Sequence, residues 1–378
     1  METVNPDIIR DAIELTLLPA IGLLLQDRIW KSFPGISDFF SADMESLASL
    51  GLGPEISPLL QSRAYQAKAA EIYDWGIREG CRFLVRGYPG YPRLLDEIFA
   101  PPLVLYVRGC LDVLQAPCIA VVGTRKPTIY GLQMAQGIAF DLAEKGFAIV
   151  SGLARGIDGA AHRGCLQAGG KTVAVLGCGI DVVYPKEHRQ LMQQILQQGL
   201  VVSEFPPGTP PAPRNFPVRN RLISGLALGT VIIEARECSG SLITARLAME
   251  QNREVFALPG NITSPPSFGP NFLIKQGAKL VQSWRDIVEE MPPDLRSAVL
   301  QKEDMDCSSR VRPDPLSPEE ARIFNLLKPD EVTQFDQLYR SSGLDISELN
   351  EKLLSLEMRG WIRQLPGNLY VRIHKPLN

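Results

Sequence analysis

IAVVGTRKPTIYGLQMAQGIAFDLAEKGFAIVSGLARGIDGAAHRGCLQAGGKTVAVL, residues 119 to 176, decides the fold. Three short apolar runs, IAVV, FAIV and VAVL, are separated by glycine turns and helix-length stretches. Apolar runs without polar alternation are strands buried on both faces, which requires helices on either side of a parallel sheet. The rhythm continues through LVVS (Leu200 to Ser203), VIIEA (Val231 to Ala235) and EVFAL (Glu254 to Leu258). An all-parallel, doubly wound α/β sheet is therefore expected from Ile119 onward.

Ligands of such sheets lie beyond the carboxyl ends of the strands. This chain places GTR (Gly123 to Arg125), SGLARGID (Ser151 to Asp158), GCGID (Gly177 to Asp181) and SGS (Ser239 to Ser241) there. Four converging glycine turns, three with Ser or Thr, suit a phosphate-lined rim. Ser151, Gly152, Ser239 and Gly240 are its candidate donors. The first turn lacks G-x-G-x-x-G, the second strand ends in Ser151 rather than an acid, and no G-x-x-x-x-G-K-[ST] occurs. Neither a dinucleotide nor P-loop hydrolysis of ATP is expected, and no cofactor is assigned. FPVRNRLISGLALGTVIIEARECSGSLITA (Phe216 to Ala245) adds cations and an aromatic face beside a helix that opens at the Ser-Gly-Ser turn. Charge with a π-face suits a phosphate chain carrying bases, so single-stranded nucleic acid is the first ligand hypothesis.

The net charge of -3 over 378 residues hides a segregation. Residues 1 to 118 carry 10 basic against 15 acidic side chains, residues 119 to 285 carry 17 against 10, and residues 286 to 378 carry 12 against 17. A basic centre between acidic flanks can hold a polyanion despite the low overall charge. No run of about 18 apolar residues occurs, and Met1 to Arg10 is polar and acidic, so a cytoplasmic chain is expected. Seven scattered cysteines without a C-x-x-C read as reduced core thiols. His162 and Cys165 share a ligand-like spacing, but no second pair completes four ligands, and no metal is assigned.

The flanks have different textures. Residues 1 to 80 read as a small helical module, its short helices broken by PAIG (Pro19 to Gly22), FPGIS (Phe33 to Ser37) and GLGPE (Gly51 to Glu55). Gly-centred turns between helices suit a helix-hairpin-helix unit, but acidic surroundings favour an interaction module of sterile-alpha-motif type. Residues 81 to 290 form the central domain, entered through strand-like FLV and VLYV (Phe83 to Val107). Residues 291 to 316 are polar, Pro-rich and non-periodic, and read as a linker. From Ser317 to Asn378 a capping box, three helices and the hairpin WIRQL-PGN-LYVRI give a winged helix. Its third helix, with Asp345, Glu348, Glu351 and Glu357 against Lys352 and Arg359, is a poor complement to phosphate and points to protein contact or regulation.

GTR, SGLARGID with Ala161-His162, Tyr184-Pro185, SEFPPG, FPVRNRLISGL, Glu234-Ala235, SGSLITA and FALPGNI together resemble the DprA/Smf (DNA-processing protein A) family over about residues 90 to 290. The resemblance implies an extended Rossmann-like domain that binds single-stranded DNA, forms homodimers and loads the recombinase RecA onto DNA taken up in natural transformation. It also implies a protein that is not an enzyme. Gly269-Pro270-Asn271 departs from the family pattern, since proline removes a donor at that turn.

Carried over to this chain, the resemblance makes Arg125 the first candidate for gripping phosphate. Phe216 either stacks on a base or staples a helix. Arg219 and Arg221, two apart, cannot share a helix face; one is assigned to phosphate and the other to an internal pair, with Glu234 as candidate partner. Asn220 ties down backbone, and Lys186 is a further phosphate candidate. Asp158 and His162 have the spacing of an acid-base pair, but Asp158 sits where a first-turn acid caps a helix. The alternative is a nucleotide-binding enzyme related to the nucleoside-monophosphate phosphoribohydrolases. Their P-G-G-x-G-T-x-x-E pattern is not matched by Ser239 to Thr244, which lacks the glycine pair and the glutamate.

Overall fold

The computed structural model describes residues 4–19, 21–53, 56–307, 316–327 and 332–372. Ala20 of PAIG, Pro54 and Glu55 of GLGPE, and residues 308–315 of the expected linker lie outside the described residues.

A nine-stranded sheet forms the centre. Its strands are β1 (Arg82–Val85), β2 (Val104–Gly109), β3 (Cys118–Val122), β4 (Ala148–Ser151), β5 (Thr172–Val175), β6 (Leu200–Ser203), β7 (Gly229–Ile232), β8 (Glu254–Ala257) and β9 (Lys279–Leu280). In space they run β1-β2-β6-β5-β4-β3-β7-β8-β9. The six strands expected from the apolar runs are all parallel to their neighbours within the set. The sheet as a whole is mixed rather than all-parallel, because β2 pairs antiparallel with β6 and β1 with β2. FLV and VLYV are thus part of the sheet, and they extend it at one edge. Gly109 makes that addition possible: its φ is +111°, and a Cβ there would stand 2.3 Å from the Gly199 carbonyl oxygen.

Strands β3, β4, β5, β7 and β8 bury nearly every residue, as coverage by helices on both faces demands. The chain leaves β3 in one direction for β4, β5 and β6, then returns to the other side of β3 for β7 and β8. The order therefore reverses between β3 and β7, and a crevice must open above that point.

The described residues before β1 form six helices, from Pro6–Leu17 to Gln66–Arg78. Buried Arg86, just after β1, pairs with buried Asp27 at 2.8 Å and ties this module to the sheet, and it also meets the exposed Asp96 at 2.6 Å. The stretch read as a non-periodic linker contains a helix, Pro293–Cys307. Helix-forming residues, Pro at its first position and the one-turn pair Leu295 and Val299, which packs against the core, sustain it. The C-terminal unit has helices Pro318–Leu326, Phe335–Ser342 and Ile346–Met358 and a hairpin, Ile362–Leu365 with Leu369–Arg372. Its first helix carries the capping box read from the sequence: Glu320 N–H donates to Ser317 Oγ, and Ser317 N–H to Glu320 Oε2 at 2.8 Å. Among the described residues, no helix is long and apolar enough to cross a membrane.

Candidate nucleic-acid interface

Above the β3/β7 switch point lies a groove of about 680 Å³. Its walls are the turn after β3 (Gly123 to Arg125), the start of helix Asn215–Gly225 (Phe216, Pro217, Asn220) and the segment after β7 (Arg236 to Ser241). Arg125 is exposed, and its guanidinium lies 5.1 Å from the centroid of the half-buried Phe216 ring. Phe216 packs 5.7 Å from Tyr184, so two aromatic rings and a cation form one wall. Arg236, four residues beyond the end of β7, is exposed and also lines the groove. Ser239 opens helix Gly240–Glu250; its Oγ lies 2.8 Å from Ser241 Oγ and accepts the Ser241 amide, while Gly240 is exposed at the helix start.

The structure divides the expected site residues into a rim and a scaffold. Arg125, Phe216, Ser239 and Gly240 stand on the rim. Lys186 is exposed just beyond Tyr184 and Pro185, outside the residues that line the groove. Asn220 donates to the Gly240 carbonyl at 3.3 Å and so ties down backbone, as expected.

Arg219 and Arg221 are both internal. Arg219 is 3% exposed, and its Nη1 donates to the Gly152 carbonyl at 2.7 Å and to that of Val175. Burial lowers its pKa to about 10, with buried Asp158 opposing the shift, so it stays charged under the groove floor. Arg221 pairs with Glu204, not Glu234, and both are buried. Glu234 instead accepts Thr128 N–H at 2.9 Å and the Thr128 hydroxyl.

The second glycine turn also departs from expectation. Ser151 is fully buried and its hydroxyl donates to Val121 O at 2.7 Å, across the sheet. Gly152 N–H donates to Asp158 Oδ2 at 3.1 Å, and a Cβ on Gly152 would meet Arg219 Nη1 at 2.4 Å. Its smallness serves the fit of Arg219 rather than approach to phosphate. The Gly152 peptide thus lies between a buried carboxylate and a buried guanidinium.

Asp158 caps backbone, though that of the loop before its helix, accepting from Gly152 and Ala154. It makes no bond to His162. The His162 ring lies 2.7 Å from Thr172 Oγ1, whose own proton goes to Ile149 O, so Nδ1 carries the hydrogen. Burial pushes His162 down to about 3, and at neutral pH it is an uncharged core residue. Cys165 Sγ donates to Lys171 O, and burial pushes its thiol up to about 12. No metal-binding cluster and no disulfide occurs among the described residues.

Because His162 stays neutral when folded but charges when unfolded, the unfolded state binds the extra proton between about pH 6.5 and 3. Its contribution to stability is present above that window and is lost as pH falls through it. The wild-type unfolding midpoint should drop more steeply below pH 6 than that of His162→Gln, measured by thermal scans from pH 7 to 4. Parallel curves would show that His162 is not held neutral.

Arg236 and Tyr184 line the groove but are not among the site residues expected from the sequence. In the sequence Tyr184 stands out only as part of the Tyr184-Pro185 motif, and Arg236 only as one basic residue among 17 in the central segment. An arginine within the first few positions after a parallel strand was the available signal for Arg236.

The structure is thus an extended Rossmann-like α/β protein with a cationic, aromatic groove at its switch point and an appended winged helix. The chain belongs to the DNA recombination-mediator protein A (DprA/Smf) family: that family's model matches residues 82–292, and the model of the DprA winged helix domain matches residues 308–368. Protein Smf of Synechocystis is 38% identical over 381 residues, covering 93% of this chain and 96% of its own. Protein Smf of Escherichia coli is 43% identical over 289 residues, 75% of each chain. The crystal structure of DNA processing protein A from Streptococcus pneumoniae superposes with a TM-score of 0.66 at 34% identity, covering 77% of this chain and 99% of that one. A structure of the Helicobacter pylori protein, described for its single-stranded DNA binding mode, gives 0.51 at 30% identity, covering 59% and 96%.

Proposed function

We propose that this DNA-processing protein binds single-stranded DNA along the switch-point groove without strong sequence choice, protects it, and delivers it to the recombinase RecA in transformation and homologous recombination. The observation that carries this reading is the arrangement of charge. Arg125 and Arg236 are exposed and line a groove that also holds Tyr184 and Phe216. Exposed guanidinium groups take phosphates and aromatic faces take bases of any identity. The relative from Helicobacter pylori supports it by its described DNA binding mode.

The partners of the acidic side chains count against a phosphoribohydrolase. Asp158, Glu204 and Glu234 are buried and bonded to loop amides, Arg221 and Thr128; of the three only Asp158 lines the groove, and its Oδ2 is taken by the Gly152 and Ala154 amides. A general acid or base must reach the proton it moves. We therefore assign the protein no catalytic residue; we propose no cofactor for it, and the cytoplasm as its location. A second copy of the chain is the partner we assign beside RecA. Phe268 and Phe272, stacked 6.1 Å apart and both exposed on helix Phe268–Lys275, offer it an apolar surface.

Binding of fluorescent oligonucleotides at several salt concentrations, with native mass measured on the same samples, tests the proposal. Affinity should favour single strands over duplex and fall steeply with salt. A preference for duplex, or no salt dependence, would remove it. Phe216→Ala should weaken single-strand binding by about 1–3 kcal/mol through lost stacking. If affinity is kept while the melting temperature drops, Phe216 only braces Tyr184 and Arg125.

A further inference from the structure

One residue holds both ends of the loop that carries Arg125. Glu234 lies just beyond β7 and is 3% exposed. Its main-chain carbonyl accepts the Thr124 amide at 2.7 Å. Its carboxylate accepts the Thr128 amide at 2.9 Å and the Thr128 hydroxyl. Only Arg125, Lys126 and Pro127 lie between those two anchors. The loop therefore spans the switch point with its ends fastened to the neighbouring strand rather than to its own.

The carboxylate is placed where its charge is used without touching Arg125. Thr128 caps helix Ile129–Glu144, accepting the Gly131 amide at 3.0 Å on the oxygen whose proton goes to Glu234. The carboxylate thus sits at a helix N-terminus, where negative charge is favoured. Gly131 leaves room for it, since a Cβ there would lie 2.4 Å from the carboxylate. No ion pair joins Glu234 to Arg125 among the described residues, so the guanidinium remains available to an outside anion.

We propose that Glu234 is the positioning residue for Arg125: by fixing both ends of the loop it orders the guanidinium before DNA arrives. Binding then does not have to bear the entropy of fixing the loop. The inference rests on the single-stranded DNA reading given above and deepens it.

A double-mutant cycle on the full-length protein, read as affinity for a fluorescent oligothymidylate against salt, tests it. Arg125→Ala and Glu234→Ala should each weaken binding about tenfold, the size expected for one charge-assisted hydrogen bond. The double variant should be little weaker than either single one, because both remove the same contact. The slope of log affinity against log salt should shrink by about 0.7 in all three, the loss of one single-strand phosphate contact. Glu234→Gln keeps an acceptor for the Thr128 amide and a donor for its hydroxyl, and should bind nearly as wild type.

Losses that multiply in the double variant, or an unchanged salt slope in Glu234→Ala, would overturn the positioning role while leaving the DNA-binding reading intact. Wild-type binding by Arg125→Ala would remove the DNA-binding reading and this inference with it. Should Glu234→Ala not fold, Thr128→Ala removes only the hydroxyl half of the carboxylate anchor and keeps the amide bond. It should then show a smaller loss that again vanishes in the Arg125→Ala background; a loss that persists there would overturn the role.

Discussion

Arg221→Ala should cost the central domain about 3–5 kcal/mol of stability, because it leaves the Glu204 carboxylate buried without its partner. Both side chains are about nine-tenths buried, and burial already pushes Glu204 above the usual carboxylate range although Arg221 opposes the shift. The pair fastens helix Asn215–Gly225 to the end of β6, and the Arg221 carbonyl also accepts Gln251 Nε2 at 3.1 Å. Replacing both charges with apolar residues, Arg221→Met with Glu204→Leu, should recover much of the loss, since the desolvation cost disappears with the carboxylate. Urea unfolding of the two variants, followed by far-ultraviolet dichroism, measures the difference. A loss below about 1 kcal/mol in Arg221→Ala, the range of an exposed pair, would show that the two groups are solvated.

Arg125→Ala with Arg236→Ala should abolish most of the affinity for single strands while leaving stability nearly unchanged. Each exposed guanidinium can give one phosphate a charge-assisted hydrogen bond of about 1.5–3 kcal/mol, so losing two separates wild type and variant by a hundredfold or more. Neither residue forms an ion pair among the described residues, so neither substitution strands a buried charge. Arg125 does lie over the Phe216 ring, worth about 0.5–1 kcal/mol at an exposed site, which bounds the expected drop in stability. Fluorescence anisotropy at low and moderate salt reads the affinity. Binding within threefold of wild type would place the DNA elsewhere.

The two experiments separate arginines that look alike in the sequence. Arg125, Arg219 and Arg221 all fall in glycine-turn or helix-start motifs on the same edge of the sheet. Only Arg125 reaches solvent. The partners that consume the others come from far along the chain: Glu204 is 17 residues from Arg221, and Gly152 and Val175 are 67 and 44 residues from Arg219. No local pattern reports such distances.

The elements themselves were legible because their causes are local. The apolar runs fall on β3 to β8, the Ser-Gly-Ser turn opens its helix, and Ser317 and Glu320 form their capping box. The antiparallel edge was not legible, because pairing of β2 with β6 depends on Gly109 meeting Gly199, 90 residues later. The helix over 293–307 was not legible because its apolar contact is a single one-turn pair, Leu295 and Val299, too short to show as a period.

By itself, then, the sequence determined the strands, the glycine turns, the family and the presence of cations and aromatics at the carboxyl edge. Tertiary structure decided which of those groups face outward. The order β6-β5-β4-β3-β7 folds carbonyls and carboxylates around helix Asn215–Gly225 and draws Arg219 and Arg221 inward, while Glu234 pins the loop that keeps Arg125 on the rim. A buried charge must find its partner inside the fold, and only the exposed one is free for a phosphate.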